Sequence, residues 1–253
     1  MKILEKTQKK ICFVEELNES LANAIRRSAL EIPILAIDEV EFHKNDSVLY
    51  DEVLALRLGL IPFKTPKNMV LREECSCKGK GCSKCTIQMR LVKKSPGAIY
   101  SGDLKGKAEA VYEEMPIAEF KEEQEIEFIA SLRLGKGKEH SKFSPGLVYY
   151  RNAAEIKILE DCKECANCIK ECPQKVLKFE KGKIGFIDDD SKYKCDMCEA
   201  CVESCNNSAG KKVLEIIPGK EIVFIIESWG QINAEEIFIN SVRAIKENLK
   251  KFG

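Results

Sequence analysis

Cysteine is the residue type in this sequence with the clearest capacity for chemistry. Twelve of the thirteen cysteines fall into three tight groups, and Cys12 stands apart from them. Thiolate sulfur is a soft ligand that suits zinc and iron, whereas disulfide frameworks are typical of short secreted chains. In a chain of 253 residues the grouped thiols therefore indicate metal sites in a reducing compartment.

Two of the groups share one spacing. Each reads C-x2-C-x2-C-x3-C; the first ends before Pro173, whereas the second ends before Asn206. Three thiols at this spacing can hold three corners of an iron-sulfur cubane, and in two-cluster ferredoxins the fourth ligates the other cluster. We predict two [4Fe-4S] clusters. The pocket of the second cluster is expected to be less protected, because Asn206 stands where a typical ferredoxin has proline. The alternative is a pair of zinc ribbons or a disulfide knot. The predicted ligand sets are Cys162, Cys165, Cys168 and Cys205 for one cluster, and Cys172, Cys195, Cys198 and Cys201 for the other.

The third group lies in the glycine- and lysine-rich segment CSCKGKGCSKC. Gly79 and Gly81 supply the turn between two close pairs of thiols. Four thiolates in two pairs are typical of a closed structural zinc site, which has no open position for a catalytic water. We predict one zinc ion here. A redox disulfide pair or an empty loop is the alternative, because one residue instead of two separates the first pair. The predicted ligands are Cys75, Cys77, Cys82 and Cys85.

Composition and charge narrow the class of protein. Lysine plus arginine and aspartate plus glutamate both number 41, so the net charge is zero. No global positive field draws such a chain onto nucleic acid, which argues against a free-standing zinc-dependent nucleic-acid binder. The N-terminus lacks the apolar run of a signal peptide, and no apolar run is long enough to cross a membrane. We expect a soluble, cytoplasmic protein.

Hydrophobic periodicity predicts the elements that position the thiols. Residues 161–207 form a compositionally distinct insert with its two halves repeated, so the chain is expected to leave one core there and return to it. The predicted elements are two strands in residues 3–14, a helix from Asn18 ended by Pro33, a strand over residues 34–42, a helix over residues 51–60 capped by Asp51, a β-rich region over residues 87–134, and the strands EIKIL, VLEIIP and EIVFIIES around the insert.

Two predicted helices carry apolar stripes that something must cover. The first has Leu21 and Ile25 on its stripe. Residues 233–252 place apolar side chains at spacings of four, three, four and three, which is an a/d stripe over two heptads. Such a stripe packs either on the sheet of its own chain or on the helix of a partner. The stripe residues are Phe238, Val242, Ile245, Leu249 and Phe252.

Residues 21–63 resemble the RNA polymerase alpha family. The segments that carry the resemblance are NAIRR, SVLYDE and RLGLIP, and the later segment GKEHSKFSP is similar to a loop of archaeal and eukaryotic members. Bacterial members have neither cysteine region, and eukaryotic members have only the zinc loop. Members of the archaeal branch, designated D, carry both the zinc loop and the ferredoxin cysteines. This sequence resembles that branch, because it carries both cysteine regions.

The resemblance implies an α+β fold and a function. It implies a discontinuous dimerisation domain over residues 1–40 and 213–253, a β-rich middle domain over residues 41–160, and a ferredoxin-like domain over residues 161–212. It further implies a non-catalytic assembly subunit of RNA polymerase that pairs with a small alpha-like partner, designated L. The small subunits designated N and P and the large catalytic subunits would then join this pair, with Leu21, Ile25 and the C-terminal stripe at the interface with L.

No group in the sequence is arranged for catalysis. The aspartates at 188–190 lie in a polar turn, and His43 and His140 have no partner arranged as a nucleophilic dyad. Two sets of basic residues are expected to be solvated surface charge: Arg26, Arg27 and Arg57, and the loop at 136–142. The alternative interpretation is that they contact the large catalytic subunits. The competing hypothesis is an electron-transfer ferredoxin fused to a docking domain, which the two cysteine runs alone would support.

Overall fold

The structure is a computed structural model that describes residues 1–94, 96–160, 166–180 and 183–251. The helices are α1 (Glu19–Ser28), α2 (Asp51–Gly59), α3 (Asn167–Lys170), α4 (Ala200–Ala209) and α5 (Ala234–Lys250). The strands are β1 (Lys2–Lys6), β2 (Lys10–Glu15), β3 (Ile34–Asn45), β4 (Thr86–Lys93), β5 (Gly97–Tyr100), β6 (Lys105–Gly106), β7 (Pro116–Phe120), β8 (Ile126–Gly135), β9 (Gly146–Ile158), β10 (Leu177–Glu180), β11 (Lys183–Phe186) and β12 (Leu214–Ser228). Within these ranges, no helix has the length and apolar character needed to span a membrane.

The chain forms two compact units. The first comprises Met1–Glu5, Cys12–Asn23 and Tyr149–Ile225, and the second comprises Lys6–Ile11, Ala24–Val148 and Ile226–Gly253. The described residues of the predicted insert lie in the first unit. The division into a dimerisation domain, a middle domain and a ferredoxin-like domain stays a prediction, because compactness within one chain does not say which segments pair with a partner.

A four-stranded sheet in the order β1-β2-β12-β9 supplies most of the first unit. Aromatic rings pack on it: the centroids of Phe13 and Phe224 lie 5.4 Å apart in a stacked arrangement, and Tyr150 stacks on Phe224 at 6.1 Å. The insert adds the antiparallel hairpin of β10 and β11 and the helices α3 and α4. The segments before and after the insert are therefore strands of one sheet, as the sequence predicts.

The segments VLEIIP and EIVFIIES form one continuous strand, so the prediction of two strands was wrong. β12 continues without a break through Pro218-Gly219, a dipeptide whose composition is typical of a turn. Gly219 is buried, and a Cβ atom there would lie 2.7 Å from Glu155 Oε1 and 3.0 Å from the carbonyl oxygen of Ala153. The glycine thus allows β12 to approach its neighbour β9 closely.

The second unit is built on an antiparallel sheet in the order β3-β8-β4-β6. Strand β8 buries every second residue, which agrees with the alternation of the segment EIEFIASLRL. Helix α2 covers this core with Leu54 and Leu58, both fully buried. The prediction that Asp51 caps α2 was wrong by one residue: the cap position is Tyr50, and Asp51 lies in the first turn, where Asn45 Nδ2 donates to its Oδ1 at 2.7 Å.

Helices α1 and α5 have the predicted bounds to within a few residues. In α5 the buried positions are Ala234, Ile237 and Ser241, and Asn233 forms a capping box with Glu236. The predicted stripe flanks this buried face: Phe238, Val242 and Ile245 are half-buried, Leu249 is 65% exposed, and Phe252 lies outside the described residues. In α1, Leu21 is 46% exposed, whereas Ile25 is buried within the chain itself.

Candidate metal centres

The thiols of the zinc loop lie together at the start of β4. The ligand atoms of Cys75, Cys77, Cys82 and Cys85 all lie within 4.8 Å of one another. The sulfur atoms of Cys75 and Cys82 are 3.5 Å apart, and those of Cys77 and Cys85 are 3.6 Å apart. A tetrahedron with zinc-sulfur bonds of about 2.3 Å has edges of about 3.8 Å. The four thiols therefore fit one tetrahedral ion, whereas a disulfide would use only two of them.

The backbone of this loop turns where the glycines predict. Lys78, Gly79 and Gly81 have φ angles of 55°, 80° and 83°, in the left-handed region that favours glycine. Each pair of thiols is closed by a tight turn: Lys78 N–H donates to the carbonyl of Cys75 at 2.9 Å, and Cys85 N–H donates to that of Cys82 at 3.0 Å. The loop thus holds its sulfur atoms by main-chain hydrogen bonds.

Two of these thiols differ in pKa. The backbone N–H of Cys82 lowers the pKa of Cys77 to about 6, and the neighbouring thiols act in the same direction. For Cys75 the backbone N–H of Cys77 acts to lower the pKa, but burial and the three other thiols raise it to about 11. A thiol with a pKa as high as that of Cys75 becomes a thiolate when a cation binds it, which is the condition of a structural zinc site.

The second iron-sulfur ligand set converges on one pocket. Cys172, Cys195, Cys198 and Cys201 all line it, and we call it the four-thiol pocket. Cys198 is exposed, and the other three thiols are buried. The structure therefore brings together the four residues that the sequence assigns to one cluster. The apolar wall of the pocket is formed by Pro173, Val176, Leu177 and Ile216.

Two thiols of the four-thiol pocket have a raised pKa. Burial raises the pKa of Cys195, and burial together with the charges of nearby thiolates raises the pKa of Cys201 to about 12. Such thiols ionise when a cationic core joins them.

The two cysteine runs repeat in their backbone as well as their sequence. Helix α3 begins at Asn167 and α4 begins at Ala200, at the same place in each run. The residue before each helix, Ala166 or Glu199, has a left-handed backbone with φ of 54° or 62°. A non-glycine residue in this region costs about 1 kcal/mol. That both runs carry the same strain supports one shared role for the two loops.

The first ligand set is described in part. Cys168 and Cys205 are buried in one apolar cluster with the three buried cysteines of the four-thiol pocket. Cys162 and Cys165 lie outside the described residues. The assignment of these four residues to one cluster therefore stays a prediction.

Asn206 replaces the usual proline for a structural reason. Helix α4 continues through residue 206, where a proline would remove a helical hydrogen bond and clash with the preceding turn; α3 ends before Pro173. The Oδ1 atom of Asn206 accepts from Val213 N–H at 2.7 Å and from Leu214 N–H at 3.1 Å. Its side chain thus binds the end of the insert to the start of β12.

Two regions of the chain match known protein families. Residues 40–146 match the family described as the RNA polymerase Rpb3/RpoA insert domain, and residues 154–206 match the 4Fe-4S dicluster domain. DNA-directed RNA polymerase subunit Rpo3 of Methanosarcina mazei is 34% identical over 96% of this chain and 93% of that protein. Rpo3 of Pyrococcus horikoshii is 31% identical over 100% of this chain and 95% of that protein. Rpo3 of Methanothermobacter thermautotrophicus is 39% identical over 73% of this chain and 73% of that protein.

The chain belongs to the Rpo3 family. The predicted resemblance to the RNA polymerase alpha family is therefore confirmed, and so is the prediction of an iron-sulfur module. The mixed α and β composition is also confirmed, with the polymerase insert domain and the dicluster domain on one chain.

In this Rpo3-family chain, Lys142 of the basic loop at 136–142 is less solvated than expected, whereas Lys138 and His140 are exposed. Lys142 is 15% exposed and its Nζ lies 2.8 Å from Asp38 Oδ1; Lys138 pairs with Glu31 at 2.6 Å. Arg133 Nε donates to Asp38 Oδ2 at 2.6 Å. Sequence reasoning missed Asp38, because it lies about a hundred residues before both of its partners and no local pattern links them.

Replacing Asp38 by Asn is expected to destabilise this Rpo3-family chain by about 2 kcal/mol, because two partly buried cations lose their shared charged acceptor. Burial acts to raise the pKa of Asp38, but Arg133 and Lys142 hold it below the usual value. The carboxylate's contribution is therefore present above the unfolded pKa of about 4 and is lost as pH falls through the lower, folded pKa.

Urea unfolding at several pH values measures this effect. The wild-type free energy of unfolding should fall toward the D38N value at low pH. The exposed pair of Arg90 and Glu127 gives the control, E127Q, with an expected cost below about 1 kcal/mol. Equal stability of wild type and D38N at neutral pH would contradict the prediction.

Proposed function

We propose that this chain is the non-catalytic assembly subunit of an archaeal DNA-directed RNA polymerase, of the ferredoxin-containing type designated D. The observation that carries the proposal is the presence of both matched regions, 40–146 and 154–206, on one chain with near full-length Rpo3 relatives. An electron-transfer ferredoxin has no use for the first region. A cytoplasmic location goes with this proposal and stays a prediction.

The proposed partners follow from the family. The small alpha-like partner, L, would pair with the dimerisation domain formed by residues 1–40 and 213–253. Leu21 and Leu249 offer exposed apolar surface for this contact, and Val242 and Ile245 are half-buried. Ile25 is buried in its own chain, so it would support the interface from beneath. The small subunits N and P and the large catalytic subunits would then join the pair, with no sequence-specific contact to nucleic acid by this chain.

The proposed cofactors are two [4Fe-4S] clusters and one zinc ion. The four-thiol pocket would hold one cluster, and Cys168 and Cys205, with Cys162 and Cys165, would hold the other. The zinc loop would hold the zinc. When bound, these groups supply metal-thiolate bonds that stabilise small domains, with either a structural or a regulatory outcome. This chain's residues contribute burial, fixed thiol positions and main-chain turns.

Affinity purification of the tagged chain from an archaeal host under anaerobic conditions tests the proposed function. We expect polymerase subunits, including the small alpha-like partner and the two large subunits, to co-purify with it in stoichiometric amount. Recovery with oxidoreductases instead of polymerase subunits would favour the electron-transfer alternative and overturn the proposal.

The metal content of two single variants tests the cofactor assignment. The wild-type chain should contain about eight irons, about eight sulfides and about one zinc. C85S should lose the zinc and keep the iron, because Cys85 lies only in the zinc loop. C201S should lose about four irons and keep the zinc. Each variant is thus the control for the other, and iron loss in C85S or unchanged iron in C201S would contradict the assignment.

A further inference from the structure

A side chain of the main sheet holds the second cysteine run in the first unit. Arg151 lies on β9, and its Nη1 donates to the carbonyl of Cys195 at 2.7 Å while its Nη2 donates to the carbonyl of Tyr193. Both carbonyls lie in the stretch of residues 192–195, which ends at the first cysteine of the run. Two hydrogen bonds from one planar, charged guanidinium fix both the position and the direction of that backbone.

A second strand of the same sheet reaches this stretch. Glu221 on β12 accepts from Tyr193 Oη at 2.9 Å and pairs with Lys192 Nζ at 2.5 Å. Tyr193 and Cys195 are 7% and 6% exposed, so the stretch is buried as well as bonded. Strands β9 and β12 are neighbours in the sheet. The backbone before Cys198 is therefore anchored by two adjacent strands.

We infer that Arg151 is a positioning residue for the iron-sulfur cluster of the four-thiol pocket. The guanidinium holds the backbone of one ligand, Cys195, in place relative to the sheet. If these two hydrogen bonds are lost, Cys195 can move away from Cys172 and Cys201, and the cluster is then held firmly by three thiols instead of four. The inference rests on the proposed occupancy of this pocket, and it gives the sheet a role in keeping the cluster.

Position and charge make different demands on residue 151. A lysine keeps the positive charge but is a compact donor that cannot span two carbonyls as a guanidinium does. A methionine has a similar length and no donor. If Arg151 acts by position, R151K should behave more like R151M than like the wild type. Lys157 is a cation further along β9, so K157M removes one charge from the same strand without touching the cysteine run.

Iron release from the reconstituted full-length chain tests the inference. After anaerobic reconstitution, the rate at which iron passes to an excess of a ferrous chelator is measured for wild type, R151M, R151K and K157M. We expect about half of the iron in R151M to leave at least about tenfold faster than in the wild type, as is usual when a residue that supports a metal ligand is lost. The other half of the iron should leave at the wild-type rate, and K157M should match the wild type.

Three results would overturn the inference: wild-type release in R151M, equally fast release of all of its iron, or fast release in K157M. Should R151M fail to accumulate as folded protein, R151K is judged by the same criteria. Failure of the proposed function gives a different result. A wild-type chain that takes up no iron would contradict the proposal that the four-thiol pocket holds a cluster, independently of the residue at position 151.

Discussion

Replacing Val242 by Asp is expected to abolish pairing with the proposed small partner L. The side chain lies on the α5 stripe and is half-buried in the isolated chain. A partner helix laid on the stripe would cover the rest of it and leave a carboxylate without water or counter-charge. Such a buried charge costs several kcal/mol, which weakens pairing by about a hundredfold or more. The same substitution at Ile245 should have the same effect.

Co-expression with the tagged partner, followed by gel filtration, measures this loss. The matched control is K246D, which places the same acidic group on α5 at an exposed position that already carries charge. K246D should pair normally although its charge changes by more than that of V242D. Normal heterodimer formation by both V242D and I245D would mean that the partner helix lies elsewhere.

The secondary structure was largely predictable because its signals are local. Strand β8 alternates buried and half-buried residues over its length, and α5 begins at a capping box and ends in lysines. Where the prediction failed, a contact distant in sequence decided the outcome. Pro218-Gly219 has the composition of a turn, but β12 continues through it because Gly219 lies against Glu155 and Ala153 of β9.

The grouping of the thiols was predictable, because residues at short spacing stay close in space. The thiols of the zinc loop and those of the four-thiol pocket each lie together in the structure, and their ligation of zinc and of a cluster stays a prediction. The residues that hold those ligands could not be assigned in this way. Arg151 lies 44 residues before Cys195, and an arginine on a strand has no sequence signal that separates it from solvated charge. Asn206 had one signal, its departure from the cysteine-proline pattern.

Removing the proposed iron-sulfur clusters is expected to leave pairing with the proposed small partner intact and to weaken docking of the large subunits. The base of the insert is closed by protein hydrogen bonds, since Leu159 N–H donates to the carbonyl of Val213 at 2.9 Å beside the ends of β9 and β12. A loosened insert then behaves as a long loop, and the entropy of closing a loop rises only slowly with its length. The main sheet should therefore keep its register.

The large subunits would meet a different situation, because an insert without clusters presents no fixed surface and must be ordered on binding. Ordering a segment on binding costs about 2–5 kcal/mol, so docking should weaken by about tenfold or more. Pull-down through the small partner, before and after chelation of the clusters, measures both contacts at once. C201S should reproduce part of the loss, and C12S, which removes the thiol outside all three groups, should behave as wild type. Equal recovery of the large subunits with and without clusters would exclude an assembly role for the iron-sulfur module. Loss of the small partner together with the large subunits would mean that the main sheet depends on the clusters.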